Sequence, residues 1–393
     1  EMCFPSTDCG LYIDLSELPE ADLVRILFSE KPGVLLQVQD EDEVHEILEK
    51  AELKFYRIGQ VTENHVIDLR HRGRRFQLDV HELRQTWFSN SYRMDREQRP
   101  EKLAQKRFKN FSRQPLTYHF PDNFSGSLSD LGLKLRRKDK GSINAAIIRE
   151  KGVNGDREMA WTLHQAGFHV KDIHMTDLIS GREDLTDVQM IVFVGGFSNS
   201  DVLGSAKGWA GAFIYNEKAK KALNAFYARE DTLSLGVCNG CQLMMELGLI
   251  YPELENHHPK MHHNQSHKFE SAFVGVTIPE NDSVMLRSLA GSRLGVWLAH
   301  GEGRFELPDG EQKYAIAAKY AYGEYPGNPN GSDFNTAAVV SKDGRHLAIM
   351  PHIERSLYPW NWAYYPHNRE SDDVSPWILP FIEARKWLEN RND

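Results

Sequence analysis

The chain has 393 residues, 47 Lys and Arg against 56 Asp and Glu, and a net charge of −9, enough for two or three domains with their own cores. The acid excess lies in residues 141–393, with 24 basic and 32 acidic residues against 23 and 24 in 1–140, which argues against a nucleic-acid partner because phosphates need a basic face. Four cysteines make no disulfide framework, no apolar run reaches the roughly 18 residues of a membrane span, and no export signal opens the chain, so we expect a cytoplasmic protein without a membrane partner.

Residues 1–112 read as a small α+β domain. "SELPEADLVRILFSE" predicts a helix with Leu23, Ile26 and Leu27 on one face. "GVLLQVQD" predicts a buried strand, and "EDEVHEILEKAEL" a helix carrying Val44, Ile47 and Leu48. "HVIDLRHRGRRFQLDV" predicts a hairpin turning at Arg72-Gly73. Asp79 and Glu82 then open a helix through Trp87 in capping-box fashion. The basic run "RMDREQRPEKLAQKRFKNFSR" reads as a helix whose ordinary use is a solvated face. Residues 113–140 hold prolines, glycines and serines without a sustained period and read as a linker.

From 141 to 393 strands alternate with helices. "INAAIIRE", "MIVFVGG" and "TLSLGVC" are strand-like, the second apolar enough to be covered on both faces. "GDREMAWTLHQAG", "AGAFIYNEKAKKALNAFYARE" and "NGCQLMMELG" read as helices, and "AIAAKYA" and "AAVVSKDGRHLAIMPH" as further strands. A last helix starts with Ser375 as cap and Pro376 at its first position, with a core stripe of Trp377, Phe381, Ala384 and Leu388. The alternation predicts a doubly wound, mostly parallel α/β domain with its ligands at the carboxyl ends of the strands.

Chemistry concentrates at "GVCNG". An apolar strand runs into Gly236-x-Cys238-x-Gly240 and a helix follows, which is a nucleophile elbow built on cysteine. The helix N-terminus favours a thiolate there. A redox Cys238-x-x-Cys241, a zinc site and a plain buried turn remain alternatives, with Cys241 a packing residue under the first reading. A nucleophile needs a base and the base an orienter. "LAIMPHIERS" offers His352 and Glu354, whose i, i+2 spacing puts both on one side of an extended chain. Gly196 and Phe197, after the strand ending at Val194, offer backbone N–H groups for an oxyanion hole with that of Asn239. The histidines of "NHHPKMHHNQSH" lack partners at fixed spacing, so no metal is expected.

These residues resemble the class I (triad) glutamine amidotransferase domain, in the branch found at the end of large single-chain phosphoribosylformylglycinamidine (FGAM) synthases. "GGFSNSDVLGSAKGWA", "GVCNGCQLM", "NQSHKFES", "GSRLGVWLAHGEGR", "YPGNPNGS" and "DGRHLAIMPHIER" carry the likeness. "LFSEKPGVLLQVQDEDEVHEIL" and "DVHELRQTWFSNSYRMDREQ" resemble the last part of that family's second synthetase half. The resemblance implies catalysis by Cys238, His352 and Glu354, an oxyanion hole at Gly196, Phe197 and Asn239, and a pocket including Gln242 and His300. It implies L-glutamine as substrate, a thioester at Cys238, and ammonia passed to synthetase domains of the same full-length chain, which use ATP and Mg2+ for a ligation in purine biosynthesis. The stretch itself would need no cofactor. Ile353 stands where the family usually has Pro, and "FSNSD" where it often has "FSYGD". The start at Glu1 suits a piece of a longer chain. The competing reading is a cysteine hydrolase or chaperone-like protein using the same elbow.

Overall fold

The N-terminal unit, Glu1–Gln98, is built on a four-stranded sheet in the order β2-β1-β3-β4. Its strands are β1 (Gly10–Asp14), β2 (Gly59–Thr62), β3 (Val66–His71) and β4 (Arg74–Asp79). The structure, a computed structural model, describes residues 1–5, 9–139 and 141–392; positions 140 and 393, which end the predicted linker and the predicted last domain, lie outside them. Arg72 and Gly73 turn the predicted β3–β4 hairpin with φ of 45° and 80°, the left-handed pair a tight two-residue turn requires. Helices α1 (Leu23–Phe28), α2 (Glu41–Lys50) and α3 (Val80–Gln98) complete the unit. Asp22, Asp40 and Asp79 accept from the N–H groups of Val24, Glu43 and Glu82 in their first turns.

Two expectations fail in this unit. The predicted first helix shrinks to six residues, and "GVLLQVQD" forms no strand. Val34 is 84% exposed and Leu36 59%, and the run pairs with no strand among the described residues. Among the described residues the unit's buried cluster is Leu15, Leu23 and Leu69, with Ile13, Leu18, Ile26 and Ile58 packed against it and Cys3 and Val80 buried apart from it. So small a core offers the apolar run no face to bury.

The second unit, Arg99–Asp393, starts before the predicted boundary. Its first helix, α4 (Glu101–Asn110), is tied to the sheet by Arg99 and Arg107, which meet the two oxygens of buried Glu270 at 2.9 and 3.3 Å. Asn110 Nδ2 donates to the Tyr325 carbonyl at 2.8 Å. The described part of 113–140 has no helix or regular strand, yet Phe124, Leu128 and Leu133 are buried in the larger core.

A nine-stranded sheet organises this unit. Its elements follow as β5 (Asn144–Arg149), α5 (Asp156–Ala166), β6 (His169–His174), α6 (Met175–Ser180), β7 (Met190–Phe193), α7 (Lys207–Ile214), α8 (Glu217–Tyr227), β8 (Leu233–Val237) and α9 (Asn239–Glu246). Then come β9 (Lys260–His262), β10 (Glu270–Thr277), β11 (Arg293–His300), β12 (Arg304–Glu306), β13 (Ala315–Tyr320), β14 (Thr336–Val340), β15 (His346–Ile349) and α10 (Leu379–Asn392). The order is β11-β10-β13-β14-β15-β8-β7-β5-β6, with β9 and β12 forming a separate pair. From β6 to β15 all neighbours are parallel; beyond β15 pairings are antiparallel, so only β14 and β10 run against the rest.

β7, β8, β14 and β15 are buried at every position, as the unbroken apolar runs require when both faces are covered. α10 packs on α5, while α6 packs on α8, α8 on α7 and α7 on α9, giving the two helix layers of a doubly wound sheet. The single long helix expected over 210–230 is two, because the Asn216 side chain accepts from the Ala219 N–H and starts α8 afresh. Ser375 caps a short 3₁₀ turn that leads into α10, and Trp377, Phe381, Ala384 and Leu388 are fully buried.

Candidate active site

β8 and α9 meet at Cys238, whose φ of 51° and ψ of −106° lie where a side-chain-bearing residue is strained. The two glycines of the elbow answer to close packing, since neither has positive φ. A Cβ on Gly240 would stand 1.9 Å from the Phe193 carbonyl oxygen of β7. One on Gly236 would stand 2.5 Å from Met244 Sδ and 2.6 Å from the Gly240 oxygen. The Cys238 N–H donates to the Ile349 carbonyl of β15 at 2.9 Å, and the Cys238 carbonyl accepts the first α9 bond, from Gln242, at 3.0 Å. Cys238 is 4% exposed, and its Sγ donates to the Ala299 carbonyl at 3.6 Å. Cys241 is fully buried, and burial, with a lesser contribution from Cys238, pushes its thiol well above the ordinary range. Both are free thiols, and Cys241 is a packing residue, as expected.

β15 is the parallel neighbour of β8, with Ile349 in register with Val237, so both chains leave the sheet side by side. Just beyond β15, the His352 N–H donates to the Trp297 carbonyl at 2.7 Å. Its Nδ1 meets Glu354 Oε1 at 2.6 Å, which leaves Nε2 as the other working nitrogen. Both side chains are at most 2% exposed. Burial works against the imidazolium, but the Glu354 carboxylate and then Cys238 outweigh it and raise the pKa to about 9. Gly195 lies against both partners: a Cβ there would be 2.6 Å from His352 Cε1 and 3.3 Å from Cys238 Cβ. The structure therefore brings Cys238, His352 and Glu354 together.

The oxyanion expectation needs one correction. The Phe197 N–H donates to the Gly152 carbonyl at 3.0 Å, within a short antiparallel bridge between Val153 and Gly196, and is already committed. The Phe197 ring is instead part of the surface, tilted against that of Phe269 with centroids 5.9 Å apart. Gly196 has φ of 142° and presses on Val153, so only glycine fits. The N–H groups of Gly196 and Asn239 stay as candidate donors. The Asn239 side chain joins the glycine loop to the elbow, accepting from the Ser198 N–H at 3.1 Å and donating to Gln242 Oε1 at 2.9 Å. Gln242 Nε2 donates to the Glu302 carbonyl.

Three residues that the sequence did not single out belong to this region. Asp201, its carboxyl raised first by burial and also by Glu302, sits on a loop where Asn199, Ser200, Asp201 and Ala206 all have positive φ. Glu302 comes from the far end of the sheet, beyond β11. Asn264, fully buried, holds His300 at 3.1 Å. The positive-φ run had a readable trace in the Asn-Ser-Asp triplet, and Asn264 and Glu302 lie within the stretches "NQSHKFES" and "GSRLGVWLAHGEGR", which did not show what either side chain does. His300 itself is 2% exposed, and burial, then His352, lowers its pKa to about 3. The other histidines scatter: His257 pairs with Asp309, His262 with Glu306 and His263 with Glu302. Among the described residues no three His, Cys, Asp or Glu side chains gather as a metal ion would need, and no helix is long and apolar enough to cross a membrane.

A parallel sheet presenting a strained cysteine beside an imidazole–carboxylate pair defines a cysteine-centred α/β domain, and its sequence says which. A family model described as the CobB/CobQ-like glutamine amidotransferase domain matches residues 142–388, and the chain belongs to that family. Residues 1–72 match the C-terminal domain of AIR synthase related protein. Over almost its whole length the chain is similar to the phosphoribosylformylglycinamidine synthase of Homo sapiens, with 37% identity over 98% of this chain and 31% of that one. The probable phosphoribosylformylglycinamidine synthase, chloroplastic/mitochondrial, of Arabidopsis thaliana gives 37% over 99% and 29%. The chain thus spans under a third of the length of these relatives. Among solved structures, PurLQS from Thermotoga maritima aligns with 64% of this chain and 99% of its own, at 22% identity and a TM-score of 0.48.

Proposed function

We propose that this chain is the glutaminase end of a phosphoribosylformylglycinamidine synthase, hydrolysing L-glutamine at Cys238 and supplying ammonia to synthetase domains. Family membership supports the substrate class. The observation that carries the chemistry is Cys238 on its strained elbow beside His352, which is backed at 2.6 Å by Glu354.

The Cys238 sulfur attacks the side-chain amide carbon, and the oxygen that gathers charge is met by the N–H groups of Gly196 and Asn239. The His352 imidazolium gives its proton to the departing nitrogen, ammonia leaves and a glutamyl thioester remains. His352 then takes a proton from water, the resulting hydroxide adds to the thioester, and glutamate departs as the sulfur is released. Glu354 holds the ring's tautomer and its charge throughout. Asp201 and Glu302 supply negative charge suited to the ammonium end of an α-amino acid. ATP and Mg2+ belong, in this reading, to the synthetase domains, and every step above uses this chain's own residues.

The test is labelling of the full chain with an electrophilic glutamine analogue, then peptide mapping. Modification of Cys238 that glutamine blocks and that vanishes in Cys238→Ala is expected. Labelling confined to Cys241 would favour the redox Cys238-x-x-Cys241 reading, and Cys238 labelling indifferent to glutamine the competing hydrolase reading.

A further inference from the structure

His300 lies at the end of β11, one residue beyond the Ala299 carbonyl that the Cys238 thiol touches, and close enough to His352 to feel its charge. Its protonation is fixed by Asn264. The Asn264 amide donates through Nδ2 to the carbonyls of Lys268 at 2.9 Å and His300 at 2.7 Å. Its Oδ1 accepts from the Gly303 N–H at 3.1 Å. Reversing the amide would set N–H against N–H and oxygen against two carbonyls, so its orientation is determined. Oδ1 can only accept from His300 Nδ1, which must therefore carry the ring's proton. The buried ring is neutral, so Nε2 is a bare lone pair, and it has no hydrogen-bond partner among the described residues. A buried acceptor without a donor is costly, and an N–H brought by a ligand would complete it.

We propose that His300 Nε2 accepts a hydrogen bond from the N–H of the substrate's carboxamide, and keeps it as that nitrogen leaves as ammonia. The inference rests on the glutaminase reading and assigns the group that distinguishes an amide from an ester. In the step it serves, the bond from Cys238 sulfur to the amide carbon forms and the carbon–nitrogen bond breaks. The proton completing ammonia comes from His352. His300 keeps its own proton on Nδ1, committed to Asn264, so it holds the nitrogen without protonating it, and ammonia stays neutral and nucleophilic.

The experiment compares kcat/KM for L-glutamine and for the γ-methyl ester of L-glutamate, whose leaving group has no N–H, in the full chain. In His300→Leu the glutamine-to-ester preference should fall about 10- to 100-fold. In His300→Gln, whose side-chain oxygen can accept, part of the preference should return. A preference unchanged in His300→Leu, with both substrates slowed alike, would overturn the assignment while leaving glutaminase activity standing. Turnover of neither substrate by the wild-type chain would overturn the glutaminase reading and this inference with it.

Discussion

At the level of single residues, the candidate site is a balance between burial and charge. His352 is buried with Glu354, and its folded pKa of about 9 stands above the unfolded 6.5. A raised pKa stabilises the fold fully below pH 6.5, and the stabilisation is lost as pH rises through about 9. Glu354→Gln removes the first favourable contribution to that shift. The variant should lose about 1–3 kcal/mol at pH 6, with the difference from wild type shrinking by pH 9, as paired denaturation curves across that range would show. Its kcat/KM for glutamine should drop about 100-fold or more, because the imidazole loses both its orientation and its charge. A pH-independent stability difference would show that the pair does not titrate as described. The three residues could be read in the sequence because each obeys a local rule: glycines flank a turning cysteine, and two side chains share one side of an extended segment. Phe197 could not be read correctly, because the carbonyl that occupies its N–H belongs to Gly152, on another loop. Asn264 and Glu302 arrive from distant segments, and the stretches that hold them follow no local rule that gives their roles.

At the level of elements, the elbow is held by contact with β7. The Gly240 site has no space before the Phe193 backbone, which cannot swing away as a side chain would. Gly240→Ala should therefore destabilise the unit by about 2–4 kcal/mol and slow Cys238 labelling, measured by thermal unfolding and by the rate of alkylation. A variant of wild-type stability would mean that α9 can slide off β7. Parallel strands buried on both faces announced themselves as short apolar runs, which is why β5, β7 and β8 were foreseen nearly to the residue. Helix ends were less visible. Asn216 sits inside an apolar period that runs through it, and its cap outweighs continuity of the pattern by about 1 kcal/mol. In the N-terminal unit the same apolar signal misled, because "GVLLQVQD" has β-type residues but, among the described residues, no neighbouring strand to accept it.

For the whole molecule, the sheet is a parallel block closed by an antiparallel flank, and the site lies at the seam. β8 brings Cys238 and β15 brings His352, yet the residues that join these strands side by side, Ser234 and His346 at 2.9 Å, are 112 positions apart. The intervening chain builds β10, β11, β13 and β14, whose far end returns Ala299 and His300 to the cysteine. Closing so long a loop is entropically costly and slow compared with forming α9 locally. A polypeptide emerging from the ribosome consequently shows its thiol well before the imidazole exists to arm it. Pulse alkylation during refolding should find Cys238 first sluggish and solvent-open, and then glutamine-protectable only in the last kinetic phase. Protection arriving with the earliest collapse would mean that β15 docks ahead of its flank. Under the proposed function, the Cys238 sulfur would thus stay idle until nearly everything else has been put in place, a safeguard against wasted chemistry that needs no inhibitor.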